Sequence, residues 1–217
     1  MNPDHEPEQP RSLRERQRAA IRSDLRRAAY RLFAEHGYDT VSVDDIAAAA
    51  GLSRRTLFRH VSTKEELLLG PVRNGGAAIA RILEDQVVGL SAAEALKEAI
   101  VARAAAFEDD ESQQWLAAVS SAPGLLDKVT MVTAADRDRI LKIIAAQMET
   151  DTSDLIPGLL IHLAFAAGDY GFQRWIHDAG RSGRPLRDWV TEALDTTINP
   201  PWTTTPSTTH RPQGSRQ

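Results

Sequence analysis

The stretch 42–64, SVDDIAAAAGLSRRTLFRHVSTK, constrains the fold more than any other part of the chain. Ser42 is placed as an N-cap with a carboxylate, Asp45, three residues on, so the spacing predicts a short helix running to Ala50. Gly51 breaks that helix, because a residue free to take positive φ opens the tight turn Gly51-Leu52-Ser53. Ser53 then caps a second short helix, Arg54 to about His60. Two short helices joined by such a turn are helix-turn-helix grammar. Ile46, Ala47, Ala50, Leu52, Leu57 and Val61 are the apolar positions expected to hold the pair together, with alanines small enough for close backbone approach.

The charges say what the polar side of this unit is for. Arg54 and Arg55 fall in the first turn of the second helix, where the helix dipole is positive and a cation costs about 0.3–1 kcal/mol. Fold stability does not ask for them. A polyanion docked there does, because arginine forks match guanine edges and phosphate oxygens and the helix N-terminus adds N–H donors. Lys64 repeats the pattern at the start of the next helix, where Thr63-x-x-Glu66 reads as a capping box.

These residues resemble the TetR family of bacterial transcriptional regulators. The resemblance runs from about Arg18 to Leu69, through RLFAEHGYDTVSVDDIA and the reader segment GLSRRTLFRHVSTKEEL. It implies that Ser42 and Lys64 contact phosphates at either end of the motif. Ser53, Arg54, Arg55 and Thr56 would face the major groove, with Phe58, Arg59 and His60 beside them. Two positions depart from the family pattern. Phe58 stands where a tyrosine hydroxyl usually reaches a phosphate, which leaves Phe58 an apolar role against a sugar, a thymine methyl or the core. Val61 stands where a phenylalanine commonly fills the core, which predicts looser packing there.

Charge is divided along the chain. From Gln9 to Lys64 there are twelve Arg/Lys against six Asp/Glu, a balance of +6, whereas Glu65 to Gln217 holds fourteen against twenty-one, a balance of −7. A charge run alone is usually a solvated face. Joined to a helix-turn-helix, a basic module on an acidic body is the pattern of a DNA binder with a second, non-DNA domain. The abundance of alanine, leucine and arginine favours an all-α chain, and the resemblance implies an N-terminal three-helix helix-turn-helix domain plus a larger helical ligand-binding and dimerisation domain. With no cysteine there is no disulfide or thiolate chemistry. The N-terminal region lacks an apolar leader and the longest apolar run, Leu159 to Ala167, is interrupted by His162 and too short to span a bilayer, so a soluble, cytoplasmic protein with no membrane partner is expected.

In order, residues 1–10 are expected to be disordered, 11–64 to form the DNA-binding domain, 65–198 the effector and dimerisation domain, and 199–217 a disordered tail. Arg11, Arg14, Arg16 and Arg18 read equally as an arm along the DNA backbone or minor groove and as an exposed basic helix start. Ser12 to Glu15 is a candidate cap, and Ile21, Leu25, Ala28, Leu32 and Phe33 form the apolar stripe of a first helix that Gly37 ends. Gly70-Pro71 predicts a kink or break in the fourth helix, with a new helix from Pro71 toward Val88. Further helices are expected over Ala92–Phe107, around Trp115–Val119, from Pro123 toward Met148, over Leu159–Asp178, and from Pro185 onward.

The resemblance also implies a small-molecule effector and a homodimer. Trp115, Met131, Met148, His162 and Phe165 are candidate walls of a ligand pocket, although each taken singly reads as ordinary core. They point to an effector that is at least partly hydrophobic. In the last long helices Ala164 and Gly168, and Ala167 and Gly171, are four apart and allow close helix contact, so the dimer face is expected at Leu163, Ala164, Ala167, Gly168, Gly171, Trp175, Leu186, Trp189, Val190 and Ala193. An internal helical hairpin is the competing reading of the same residues.

Catalysis is not expected. The six histidines form no metal pair, and the sequence has no G-x-S-x-G, P-loop or G-x-G-x-x-G, so neither metal nor cofactor is called for. An architectural DNA binder would not need so large an acidic body, and a vestigial helix-turn-helix would not keep Arg54, Arg55, Arg59 and Lys64. The expectation is a ligand-released repressor, homodimeric on a palindromic operator, with an activator bearing the same heads, or an effector-independent architectural DNA-binding protein, as the alternatives.

Overall fold

The computed structural model describes residues 13–85, 89–108, 110–126, 131–178 and 181–198, and among these the chain is helical with no strand. The expectations for residues 1–10 and 199–217, and for Arg11 and Ser12, lie outside the described residues. The first helix, α1 (Leu13–His36), turns Leu25, Ala28, Ala29, Tyr30 and Phe33 inward. Gly37 stops it at φ +85°, its N–H still bonded to Phe33 C=O at 2.9 Å.

Local caps then place three helices in quick succession. Ser42 and Asp45 form the reciprocal capping box that opens α2 (Val43–Ala49), and Gly51 takes φ +68° in the turn that follows. Ser53 caps α3 (Arg54–Phe58) by accepting from the N–H of Thr56. This helix ends about two residues earlier than the sequence predicts, because the N–H groups of Arg59 and His60 bond back three residues, to Thr56 and Leu57, and tighten the last turn. At α4 (Lys64–Arg73), Thr63 accepts from Glu66 N–H as expected, but the Glu66 carboxylate reaches one residue further back, to the N–H of Ser62 at 2.7 Å.

The break after α4 falls at Asn74, and not at Gly70-Pro71: the helix runs through Pro71 and α5 spans Gly75–Asp85. A proline inside a helix leaves the carbonyl four residues earlier without its donor. Here that carbonyl, on Leu67, accepts from the Tyr30 hydroxyl at 3.3 Å, so tertiary contact supplies what the proline removed. Two neighbours are held likewise: Trp115 Nε1 donates to Leu68 C=O at 2.7 Å, and Arg103 Nη2 donates to Pro71 C=O at 2.7 Å. The chain breaks where Gly76 turns its N–H to Met131 C=O at 3.1 Å. A Cβ on Gly76 would lie 2.8 Å from the Asp136 side chain, so only glycine lets the two segments meet this closely.

The body continues with α6 (Ala92–Phe107), α7 (Asp110–Ser120), the short α8 (Pro123–Leu126), α9 (Ala134–Gln147), α10 (Leu155–Asp178) and α11 (Leu186–Ile198). The expected single segment from Pro123 to Met148 is therefore interrupted, and α9 has its own capping box, Thr133 with Asp136. α1 packs on α4 and α7 as well as α2, so the buried side chains of head and body join in one cluster reaching from Leu25 to Leu194. Across the body, Lys97 pairs with Asp195 and the Glu108 carboxylate accepts from Leu186 N–H, fixing α11 against α6.

α10 is 24 residues long and, by length and composition alone, apolar enough to cross a bilayer. One side of it is turned into the chain's own core. Ile161, Ala164, Ala167, Gly171 and Trp175 are buried there, and a Cβ on Gly171 would stand 2.8 Å from Val190 Cα and 2.9 Å from Trp189 C=O. Gly171→Val should therefore pry α11 from α10 and destabilise the protein by about 3 kcal/mol or more, the upper end of overpacking costs. Gly158→Ala, where nothing lies within 4 Å of the new methyl, should be neutral or stabilising by up to about 1 kcal/mol. Urea unfolding at one fixed protein concentration measures both.

Candidate nucleic-acid interface and effector cavity

The α2–α3 unit is pinned from beneath and open above. Ile46, Ala47, Leu57 and Val61 are buried, which fixes the two axes, while Arg54, Arg55, Phe58 and Arg59 are exposed. Val61 is 5% exposed and lies in the core. Phe58 is 45% exposed, so of its three candidate roles the core is excluded and contact with a partner remains.

The exposed cations differ in how freely they can move. Arg54 is held by Asp44 on α2, at 2.8 Å, and its guanidinium lies 5.5 Å from the Phe58 ring centroid. Arg55 and Arg59 make no ion pair or side-chain hydrogen bond with the described residues. Arg54 is thus oriented in advance, whereas Arg55 has every donor available for a base edge or phosphate. Ser53 and Thr56 are linked through their hydroxyls at 2.9 Å, and the Ser42 hydroxyl donates to Asp45 at 2.6 Å.

Lys64 carries a duty that its sequence position does not announce. Its ammonium donates to Tyr38 C=O at 2.8 Å and Val41 C=O at 3.1 Å, and sits 4.3 Å from the Tyr38 ring centroid. It ties α4 to the loop between α1 and α2. Of its three N–H donors, one is left for a phosphate.

The basic surface extends onto α1. Arg14 and Arg18 share a shallow cleft with Thr56, Arg59 and His60. Burial, then the charges of Arg59, Arg22 and Arg18, hold the His60 imidazole below its ordinary pKa. The first helix and α3 thus present one continuous cationic face.

Within the body, a cavity of about 510 Å³ lies among α4, α5, α6, α9, α10 and α11. Three of the five expected wall residues, Met131, His162 and Phe165, line it. Trp115 does not. It is 1% exposed and borders an adjoining cleft of about 810 Å³ between the head and α4, α5, α6 and α7, which shares Arg103 and Phe107 with the cavity. Met148 caps the end of α9 and packs on the core instead. The wall also contains groups that the sequence reading passes over: Arg103, Arg137 and Asp169, with Phe107 and Phe172. Arg103 had a visible signal, as the single charge inside the apolar run AIVARAAAF. Burial raises the Asp169 pKa, partly offset by the hydrogen bond from Gln173 at 2.8 Å.

Most of the residues expected at a dimer face are already used within one chain. Ala164, Ala167, Gly171, Trp175, Leu186 and Val190 are buried between α10, α11 and the body, and Gly168 approaches Ile100 on α6. Their small side chains do permit close helix contact, but the helix they meet is the chain's own α11, which leaves them little surface for a second copy. Trp189 is partly buried beneath Arg174 and Arg184, and Ala193 is partly buried on the core. Leu163 alone among the expected residues is a large apolar side chain left outside, 47% exposed. With Leu155, Ile156, Leu159 and Tyr170 it forms an outer stripe on α10, spaced three and four residues apart from Ile156 through Ala166 to Tyr170.

Comparison with known proteins places this geometry. Residues 25–70 match the family model of bacterial regulatory proteins, tetR family, and residues 90–199, more than half the chain, match that of the MftR C-terminal domain. The chain is 28% identical over 182 residues to MftR of Mycobacterium tuberculosis, named for transcriptional regulation of mycofactocin biosynthesis, covering 82% of this chain and 88% of that protein. It is 29% identical over 192 residues to the HTH-type transcriptional regulator TcmR of Streptomyces glaucescens, covering 84% and 85%. Among solved structures its fold is similar to SmeT, the repressor of a Stenotrophomonas maltophilia multidrug efflux pump, with TM-score 0.54 at 18% identity over 89% of this chain and 97% of that one.

Proposed function

Because the chain belongs to the TetR family of bacterial transcriptional regulators, we propose that it is a homodimeric repressor that leaves a palindromic operator when a small molecule enters the body cavity. It is a DNA-binding regulator and not an enzyme. The observation that carries the specific reading is the exposed, Ser53-capped α3, with Arg54 preset by Asp44 and Arg55 unrestrained. Residues 13–64 act as the DNA head, with α3 in the major groove: Arg54, Arg55 and Thr56 at base edges, Ser42, Ser53 and the spare Lys64 proton at phosphates, and Phe58, Arg59 and His60 flanking them. Two-fold symmetry makes the half-sites inverted repeats.

The remaining chain supplies dimer and effector functions in the cytoplasm. The outer stripe of α10 faces the same stripe of a second copy, its three-four spacing being that of a helix seam. The cavity of about 510 Å³ is of a size and apolarity suited to one small molecule. SmeT, which shares the fold, has been solved with triclosan. α4 joins the two functions, since it borders the cavity through Val72 and anchors the head through Lys64. A coupling of about 1–3 kcal/mol changes operator affinity several- to a hundredfold.

The test is fluorescence anisotropy against the DNA upstream of the protein's own gene, titrated with salt and with random duplex as competitor. Binding that survives the competitor and saturates at two chains per site is expected. Binding erased equally by random duplex removes the sequence-specific reading.

A further inference from the structure

The body cavity is bordered by two guanidiniums that have no carboxylate partner among the described residues. Arg103 is partly buried, and its partners among the described residues are the Pro71 carbonyl at 2.7 Å and the Phe107 ring, 5.4 Å from its Cζ. Burial alone depresses its pKa, and no acid offsets it. Arg137 borders the same cavity, and its Nε is buried with no hydrogen-bond partner. A buried charged donor left unpaired is costly, and planar guanidiniums are matched by a carboxylate that accepts two N–H bonds at once. Asp169 also faces the cavity, but it forms no ion pair with either arginine and burial raises its pKa. The wall therefore carries more unsatisfied positive than negative charge. The rest of it is apolar, with Ile79, Ile100, Phe107, Phe165 and Phe172.

Resting on the reading of this cavity as the effector site, we propose that the effector is an amphipathic organic acid whose carboxylate is received by Arg103 and Arg137, and that it acts by withdrawing Arg103 from the Pro71 carbonyl. Pro71 lies in the last turn of α4, three residues before the break at Asn74. Its helical donor would be the N–H of Gly75, which already belongs to the next helix, and the donor found at this carbonyl is Arg103 Nη2 instead. Arg103 is thus the clamp that sets the end of the helix leading to the DNA head. A guanidinium that turns to a carboxylate in the cavity exchanges a neutral acceptor for a charged one, and the α4–α5 junction loses its tie to α6. Acid recognition and release of the head are one movement of one side chain.

The experiment uses the full-length protein and matched ligands: decanoate, 1-decanol and decylamine, and 6-phenylhexanoate with its alcohol and amine. Calorimetry reads affinity, and amide hydrogen exchange reads residues 71–76. At least one acid is expected to bind tenfold or more tightly than its alcohol and amine, and to speed exchange across 71–76. Arg103→Met and Arg137→Met should each erase most of the acid's advantage while leaving alcohol affinity within about twofold. Arg103→Met should exchange fast at 71–76 without ligand. Arg137→Met, which has no hydrogen bond to α4, keeps the test decisive if Arg103→Met folds poorly. An alcohol or amine binding as well as its acid overturns the acid class while leaving an effector cavity in place. No binding by any of the six overturns the cavity itself, and acid binding without a change at 71–76 overturns the clamp.

Discussion

Leu163→Glu is expected to yield a folded monomer whose operator affinity is at least a hundredfold weaker than that of the parent. Leu163 sits at the middle of the outer α10 stripe, flanked at three- and four-residue steps by Leu159 and Ala166. In a two-fold dimer the substitution enters twice and places two like charges in one apolar seam, where burying an unpaired carboxylate costs several kcal/mol per ion. Half of Leu163 is already in solvent in the single chain, so the fold itself loses little. Each head alone binds one half-site, and the gain from linking two binding events, of order 10²–10⁴, disappears. Sedimentation equilibrium and anisotropy on the same sample check both parts. A Leu163→Glu protein that remains dimeric moves the interface off this stripe.

The second large effect is at the DNA head. Arg55→Ala should weaken the operator complex by about 1–3 kcal/mol per half-site, or roughly thirty- to twenty-thousandfold for the dimer, and relax preference at one base pair of each half-site. Lys64→Met should act differently. It leaves the carbonyls of Tyr38 and Val41 without their donor, so it should lower thermal stability and weaken all DNA sequences by the same factor. Binding measured against a library of single-base operator variants separates the two patterns. A sequence-dependent loss from Lys64→Met, or a uniform one from Arg55→Ala, reverses the assignment.

What the sequence discloses is what is decided locally. The caps at Ser42, Ser53 and Thr63 lie within three residues of the N–H groups they serve, so α2, α3 and α4 start where the spacing predicts. The end of α4 is decided by groups 32 to 47 residues away, Tyr30, Arg103 and Trp115, and no pattern around Pro71 announces them. The small residues of α10 are a related case. Their spacing says that a helix comes close; it does not say whether that helix is α11 of the same chain or one from a second copy. Met131, His162 and Phe165 reach the cavity while Trp115 and Met148 do not, because apolar character marks burial and not which buried space a side chain borders. Of the polar groups that give the cavity its chemistry, Arg103 shows in the sequence as a lone charge in an apolar run, while Arg137 and Asp169 are ordinary there and gain their place only on folding.

Four rings, Phe107, Trp115, Phe172 and Trp175, pack with centroids 5.2 to 6.2 Å apart, and the two indoles lie within 9° of parallel. Phe107 and Phe172 also line the cavity, and Trp115 reaches α4 through Leu68. The protein thereby contains its own optical reporter. Near-ultraviolet dichroism from the parallel indoles and their emission respond to any molecule that shifts either phenylalanine, so occupancy of the cavity can be followed without a label, in the same cuvette as the DNA titration.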